Sequence, residues 1–171
     1  MGDDLRTDMK RVIIYTDGAC RGNPDGPGGY GAVILYTDNM GKTHTKELSA
    51  GYDSTTNNRM EMMAVISSLE CLKYPCEVEL HSDSRYIIDS MTKGWIYNWI
   101  KKGWKTSSGD PVKNRALWER MLLAAGPHKI EWHWVKGHAG EPLNEKCDYL
   151  ATSAADSDPS GLLHDDGGDL K

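Results

Sequence analysis

The chain carries the stretch RVIIYTDG at residues 11–18, which predicts a buried β-strand closed by a turn. Valine, isoleucine and tyrosine are residue types that sheets favour, and an Asp–Gly pair commonly stops a strand. The sequence from Gly18 to Gly31 holds six glycines and two prolines, so it predicts a loop there. Asp17, which closes the strand, is therefore expected at the mouth of a sheet.

Strand-like and helix-like patterns alternate along the rest of the chain. β-Branched or alternating residues predict further strands at residues 30–37, 43–51, 77–82 and 129–135. Helices are predicted at residues 57–72, 85–91, 111–125 and 141–155. In the first helix the apolar residues recur every three or four positions, which indicates one buried face. This order of elements predicts a single α/β domain, a mixed sheet with helices on its faces.

The two ends of the chain differ in composition from the middle. Residues 1–10 are polar, and residues 156–171 are rich in Asp, Gly and Ser. We therefore predict a flexible leader at 1–10, a folded domain at 11–155 and a disordered acidic tail at 156–171. No apolar run approaches the roughly 20 residues that span a bilayer, and the leader lacks the apolar core of a secretory signal. A cytoplasmic protein without membrane contact is expected.

Charge is distributed unevenly along the chain, whose formal net charge is −5. From Lys93 to Arg120, seven basic residues stand against two acidic ones, so this window carries a net charge of about +5. The window is also rich in tryptophan. A basic, aromatic stretch in an acidic protein predicts a local docking surface for nucleic acid.

Four acidic residues stand where a metal-dependent site would need them. Asp17 and Asp83 each close a predicted strand, whereas Glu61 and Asp148 lie in predicted helices. Two bare carboxylates about 4 Å apart repel each other by roughly 4 kcal/mol at an effective dielectric of 20, so a cluster of them needs protons or cations. Oxygen ligands without His or Cys favour Mg²⁺ or Mn²⁺, and a pair of such ions suits phosphodiester hydrolysis.

Each of these residues also has an ordinary explanation when taken alone. An aspartate before glycine is a common turn residue, and a glutamate early in a helix complements the helix dipole. His138 has glycines near it on both sides, Gly137 and Gly140. Such mobility suits a proton carrier, but a loop histidine without a role also fits.

An ordered set of motifs carries a resemblance to a known family. The motifs are YTDGAC (15–20), GNP (22–24), GPGGYG (26–31), TTNNRME (55–61), SDS (82–84), WKT (104–106), PVKN (111–114), VKGHAG (135–140) and NEKCD (144–148). Together they closely resemble bacterial type 1 ribonuclease H over residues 11–155. The resemblance implies a ribonuclease H-like fold, with a five-stranded mixed sheet flanked by helices. It also implies a monomeric endonuclease that cuts the RNA strand of RNA–DNA hybrids by a two-metal-ion mechanism, leaving 5′-phosphate and 3′-hydroxyl ends.

The resemblance also implies a role for individual residues. Metal binding and catalysis, with two Mg²⁺ ions or Mn²⁺ as a substitute, fall to Asp17, Glu61, Asp83 and Asp148. Proton transfer or product release falls to His138. The 2′-hydroxyl groups of the RNA strand are read by Cys20, Asn23, Asn57 and Asn58, with Cys20 acting through its backbone. A DNA-strand phosphate is held by Thr56 and Asn114. The basic protrusion of the family is matched by Trp95, Trp99, Lys101, Lys102, Trp104 and Lys105.

Several alternatives remain open at this point. Asn57 or Asn58 also fits the cap of a helix, and each tryptophan also fits a small structural core. Asp25 lengthens the glycine loop of the family, and Arg85 stands where a neutral polar residue is common. Three other functions are also considered: a non-catalytic module that binds hybrids or double-stranded RNA, a related nuclease that acts on DNA, and a structural cation site.

Overall fold

The computed structural model describes residues 9–137 and 140–170. Within them, five strands form one sheet: β1 Lys10–Cys20, β2 Gly28–Thr37, β3 Thr43–Tyr52, β4 Cys76–Ser82 and β5 Lys129–Trp134. The strands lie in the order β3-β2-β1-β4-β5. The first three pair antiparallel, whereas β4 pairs parallel with both β1 and β5. The predicted five-stranded mixed sheet is confirmed.

The described residues also form five α-helices, which are α1 Asn57–Glu70, α2 Arg85–Thr92, α3 Trp95–Lys101, α4 Arg115–Ala125 and α5 Pro142–Ala155. Helix α1 packs between the sheet and α4. Its apolar side chains are therefore buried on several sides, as Met60, Met62 and Val65 illustrate with 0% exposure each. The prediction that this helix buries a single face is wrong, because α4 covers part of the surface that was expected to face solvent.

The two faces of the sheet carry different helices. A Cβ on Gly18 would lie 2.4 Å from the backbone nitrogen of Glu61 in α1, and a Cβ on Gly31 would lie 2.4 Å from the carbonyl oxygen of Cys147 in α5. Both helices therefore approach the sheet at positions without a side chain. The glycines belong to strands, so the loop predicted from Gly18 to Gly31 is wrong except at residues 21–27.

Helix α4 begins four residues later than the sequence predicted. Pro111 pairs with Lys105 in an isolated β-bridge, so it lies in an extended segment before the helix. Asn114 then takes a left-handed backbone conformation with φ of 62°, and the helix begins at Arg115. The start of the helix was therefore predicted too early, because the chain makes a separate turn between Pro111 and Arg115.

The acidic tail returns to the body of the protein. A 3₁₀ turn at Pro159–Gly161 follows α5, and Leu163 then forms a parallel bridge with Tyr52 of β3. Leu170 is 2% exposed. The prediction of a disordered tail is wrong for residues 156–170, because a few leucines and one buried aspartate anchor a segment whose average composition is polar.

The predicted leader at residues 1–10 lies mostly outside the described residues, and Lys10 already belongs to β1. Among the described residues, the helices are all too short or too polar to cross a bilayer.

Candidate active site

Asp17 and Asp83 are brought together by the parallel pairing of β1 with β4. Thr16 pairs with Ser82 in this register, so the residue after each of them lies at the same edge of the sheet. Asp83 directly follows β4, and Ser84 then caps α2 by accepting a backbone hydrogen bond. The chain therefore turns at Asp83 and leaves its carboxylate beside that of Asp17.

Glu61 reaches the same point from α1. One oxygen from each of Asp17, Glu61 and Asp83 lies within 4.8 Å of the other two. Among the described residues, no hydrogen-bond partner reaches Oε1 of Glu61 or Oδ1 of Asp83, although both atoms are buried. Oδ1 of Asp17 accepts a hydrogen bond of 2.8 Å from the N–H of Gly18. Buried oxygens without partners are costly, so this oxygen-only group fits a hard divalent cation.

The electrostatics of the three carboxylates agree with this fit. Burial, and then the charge of Asp83, raise the pKa of Asp17 to about 7. Burial and the neighbouring Asp83 and Asp17 also raise the pKa of Glu61 well above its ordinary value. Without a cation, the group therefore retains protons that isolated carboxyl groups would lose near pH 4.

Asp148 lies on α5 and lines the same cleft, which has a volume of about 600 Å³. Its charge adds to the raised pKa of Asp17. It is not one of the three carboxylates that lie within 4.8 Å of one another. The structure thus groups three of the four predicted acids and leaves the fourth beside them. The cleft is also lined by Cys20, Asn57, Asn58, Arg85 and Thr152.

The residues expected to contact the RNA strand lie around the start of α1. Asn23 connects the loop at residues 21–27 to this helix, since its Oδ1 accepts a hydrogen bond of 3.2 Å from the backbone N–H of Asn57. Thr56 caps the helix, and its Oγ1 accepts from the N–H of Arg59 at 3.2 Å. The alternative that Asn57 or Asn58 is the cap is therefore wrong, and both residues are exposed.

Asn114 comes to the same end of α1 from the segment before α4. Its Oδ1 accepts a hydrogen bond of 3.2 Å from Nη1 of Arg59. Thr56 and Asn114, predicted to share one phosphate, therefore both contact Arg59.

The basic protrusion contains the short helix α3 and the turn after it. Trp99 packs inward, with its ring centroid 5.7 Å from that of the buried Trp118. Trp104 is partly buried beneath the guanidinium of Arg115, whose carbon lies 5.3 Å from the ring centroid. Trp95 is 41% exposed. The protrusion thus presents one exposed tryptophan beside three exposed lysines, Lys101, Lys102 and Lys105.

The RNase H family profile matches residues 9–156, which is most of the chain. The chain belongs to the RNase H family. Ribonuclease H of Lachnoclostridium phytofermentans is 55% identical over 156 residues, which cover 91% of this chain and 97% of that protein. These matches confirm the resemblance to bacterial ribonuclease H on which the sequence interpretation rested.

Solved RNase H structures share the fold. LC9-RNase H1, described as a type 1 RNase H with the type 2 active-site motif, superposes with a TM-score of 0.79 at 35% identity, covering 94% of this chain and 76% of that one. A foamy viral protease–reverse transcriptase in complex with an RNA/DNA hybrid has a TM-score of 0.68 at 19% identity, covering 86% of this chain and 20% of that one. The second likeness shows the fold alone.

Sequence reasoning missed two residues of this RNase H site. Arg59 gave no signal beyond its position in a helix whose neighbours are apolar. Trp134 donates its indole N–H to the carbonyl oxygen of Asp83 at 3.2 Å, and the guanidinium carbon of Arg85 lies 3.8 Å from the indole centroid. Trp134 is paired with Ser82, so its place at the end of β5 was the available signal.

Two further expectations concern His138 and the inserted Asp25. His138 lies outside the described residues. Asp25, the inserted residue, has a φ of 72°, and its N–H donates to the carbonyl oxygen of Thr55 at 2.9 Å. The insertion therefore ties the glycine loop to the segment before α1, and Asp25 is not among the residues that line the cleft.

A second group of possible ligands lies on β4 and β5, formed by Glu79, Glu131 and His133. It differs from the acid cluster because Arg11 lies 3.5 Å from Glu79 and 3.9 Å from Glu131. Nε2 of His133 is 3.5 Å from Glu131. These side chains are exposed or half-buried and form ion pairs with one another, so the group is explained as a surface ion-pair network.

Proposed function

We propose that the chain is an endonuclease that hydrolyses the RNA strand of RNA–DNA hybrids and leaves 5′-phosphate and 3′-hydroxyl ends. The observation that carries the proposal is the group formed by Asp17, Glu61 and Asp83 in an open cleft, in which two buried carboxylate oxygens have no hydrogen-bond partner among the described residues. A binding module would gain nothing from clustered negative charge that faces a polyanion. Membership of the RNase H family supports both the reaction and the substrate.

We assign the metal ligands as Asp17, Glu61, Asp83 and Asp148, and the ions as two Mg²⁺, with Mn²⁺ as a substitute. The oxygen-only donor set supports this choice. When bound, the ions supply an activated water and neutralise the leaving 3′-oxygen. The contribution of the protein is to fix carboxylates on β1, on α1, directly after β4 and on α5 around one cleft, so that the ligands are in place before the substrate arrives. His138 is proposed as the proton carrier, on the strength of the family motif.

Substrate selection is assigned to groups that can distinguish RNA from DNA. Asn23, Asn57 and Asn58, with the backbone of Cys20, are proposed to read 2′-hydroxyl groups, because an amide can both donate to and accept from a hydroxyl. Thr56 and Asn114 are proposed to hold a DNA-strand phosphate. The protrusion completes the assignment, with Trp95 on a sugar or base and the lysines along the phosphates, while Trp99 and Trp104 support it from below.

Strand-labelled cleavage tests the proposed function. A hybrid with labels on both strands, incubated with Mg²⁺, is expected to lose its RNA strand only, and EDTA should stop the reaction. All-DNA and all-RNA duplexes are the controls. Asp83→Asn should abolish cleavage while hybrid binding, measured by fluorescence anisotropy, persists. Comparable cutting of duplex DNA would instead identify a DNA nuclease, and binding without cleavage by the unmodified protein would identify a binding module.

We also propose that the protein is a cytoplasmic monomer, as the family resemblance implies. Light scattering after size exclusion should give a mass near 19.0 kDa. A mass twice as large would contradict the monomer.

A further inference from the structure

The C-terminal segment at residues 163–170 reaches the end of α1 that carries the substrate-binding residues. Asp165, which is 8% exposed, accepts hydrogen bonds from Nε and Nη2 of Arg59 at 2.8 and 2.9 Å. Thr55 donates to the same carboxylate at 2.5 Å, and the N–H of Gly167 donates at 2.8 Å. The two partners of this ion pair are 106 residues apart in the chain.

Arg59 links the tail to the proposed phosphate pocket. Its side chain is 5% exposed. One edge of the guanidinium contacts Asp165 and the carbonyl oxygen of Gly168, and Nη1 donates to Oδ1 of Asn114 at 3.2 Å. The backbone N–H of the same arginine donates to the Thr56 hydroxyl. Both residues proposed to hold the DNA-strand phosphate are thus bonded to one arginine.

The chemistry of the guanidinium fixes the orientation of the Asn114 amide. Arginine has five N–H donors and no acceptor, so the amide can face it only with its oxygen. The amide nitrogen, with both donors, is then left for an acceptor elsewhere. A phosphate oxygen is such an acceptor, and a hydrogen bond to it is charge-assisted.

We infer that the C-terminal segment is a positioning device for the DNA strand of the substrate: Asp165 holds Arg59, and Arg59 holds Asn114 with its N–H donors available to a phosphate. Asp165 and Arg59 are positioning residues, because they act through Asn114. The inference rests on the proposed function, since it concerns the hybrid as substrate. A buried ion pair by itself is weak evidence that its role is to stabilise the fold. In this pair, Arg59 also donates a hydrogen bond to Asn114, a proposed binding residue.

The first test separates substrate binding from turnover. Asp165→Asn keeps the shape of the side chain and removes its charge, so Arg59 loses its anchor. We expect KM for the hybrid to rise about tenfold at unchanged kcat, the effect of losing one hydrogen bond to a charged group. Asp158→Asn is the matched control, since Asp158 is an exposed tail aspartate whose side chain, within the described part of the chain, hydrogen-bonds to Ser160 alone. An unchanged KM in Asp165→Asn, or an equal rise in the control, would overturn the inference.

The second test asks whether the effect passes through Asn114. If it does, Asp165→Asn combined with Asn114→Ala should raise KM no further than Asn114→Ala alone. Hybrids that carry single methylphosphonates along the DNA strand add a readout that a merely structural role would not move. One position should raise KM for the wild type and have no effect in Asp165→Asn. Multiplicative effects in both experiments would contradict the inference.

Two provisions keep the test decisive. If Asp165→Asn is unfolded at the assay temperature by circular dichroism, Thr55→Val removes a single hydrogen bond to Asp165 and should give a smaller rise in KM with the same coupling to Asn114. Failure of the proposed function is recognised separately, because the wild type would then leave the RNA strand intact. In that case anisotropy of the hybrid in EDTA still compares Asp165→Asn with the wild type, and equal affinities would refute the positioning role.

Discussion

Helix α1 contributes one residue to each of two charged groups. The two residues, Arg59 and Glu61, are only two positions apart in the chain. Glu61 joins two other carboxylates, and buried oxygens of Glu61 and Asp83 have no partner among the described residues. Arg59 instead faces the carboxylate of Asp165 and has acceptors around its guanidinium. The first group carries like charges that need an added ion, whereas the second is already neutral. The comparison distinguishes a group whose charges require a bound cation from a group whose charges already balance each other.

The sharpest way to test this contrast is to change one charge in the acid cluster. Glu61→Gln keeps the shape of the side chain and removes its charge, and we expect hybrid cleavage with Mg²⁺ to fall by at least about a thousandfold, since several kcal/mol of transition-state stabilisation depend on the bound ions. The melting temperature without metal should not fall. Glu119→Gln, on the exposed face of α4, is the control and should retain full activity. Retention of activity by Glu61→Gln would remove this residue from the metal site.

The opposite result, a loss of stability, is expected when the ion pair between Arg59 and Asp165 is broken. Arg59→Met leaves the carboxylate of Asp165 buried without its partner, so the free energy of unfolding should fall by about 3–5 kcal/mol. Arg21→Met breaks the exposed ion pair between Arg21 and Asp156 and should change stability little. Urea denaturation of the three proteins at pH 7 measures both changes. Equal losses would show that burial of the ion pair does not matter.

The ion pair between Asp165 and Arg59 also predicts how stability responds to acid. Burial alone would raise the pKa of Asp165, but hydrogen bonds from Arg59, Thr55 and Gly167 outweigh it and lower the pKa below 3.8. This stabilisation is therefore complete above about pH 4 and is lost as the pH falls through the lowered pKa. In Arg59→Met that acid-induced loss should disappear.

The acid cluster should show the reverse dependence on pH. The pKa of Asp17 is about 7 in the folded protein and 3.8 ordinarily, so the folded state without metal holds a proton that the unfolded chain releases. Stability in EDTA should therefore fall as the pH rises from about 4 to about 7 and stay constant above that. Asp17→Asn does not lose stability in this way and should be more stable than the wild type at pH 8 by up to about 4 kcal/mol, which is the equivalent of a shift of about three pKa units. Equal stability in EDTA at pH 8 would contradict the raised pKa.

The difference between the two groups also explains what the sequence could predict. Asp17 and Asp83 were found because each closes an apolar strand, and parallel strands bring such ends together. Asp165 gave no such signal, because its partner lies far away in the chain and its neighbours are Asp and Gly. Strand propensity likewise failed at Gly29 and Gly31, where the absence of a side chain allows α5 to approach the sheet closely. Local patterns therefore located the acid cluster, whereas the tail contacts and the glycine strands depend on packing between distant segments.

The smallest expected effect concerns the protrusion. Its lysines are exposed, so they belong neither to a buried cluster of like charges nor to a buried ion pair. Lys102 and Lys105 are exposed beside Trp95 and line one cavity with it. If they track phosphates, Lys102→Ala with Lys105→Ala should reduce the slope of log affinity against log salt by about 2, one unit for each contact. Lys42→Ala, in the turn between β2 and β3, should leave the slope unchanged. Since exposed lysines are solvated in both states, melting temperatures should stay within a few degrees of the wild type, and an unchanged slope in the double variant would remove these lysines from the substrate path.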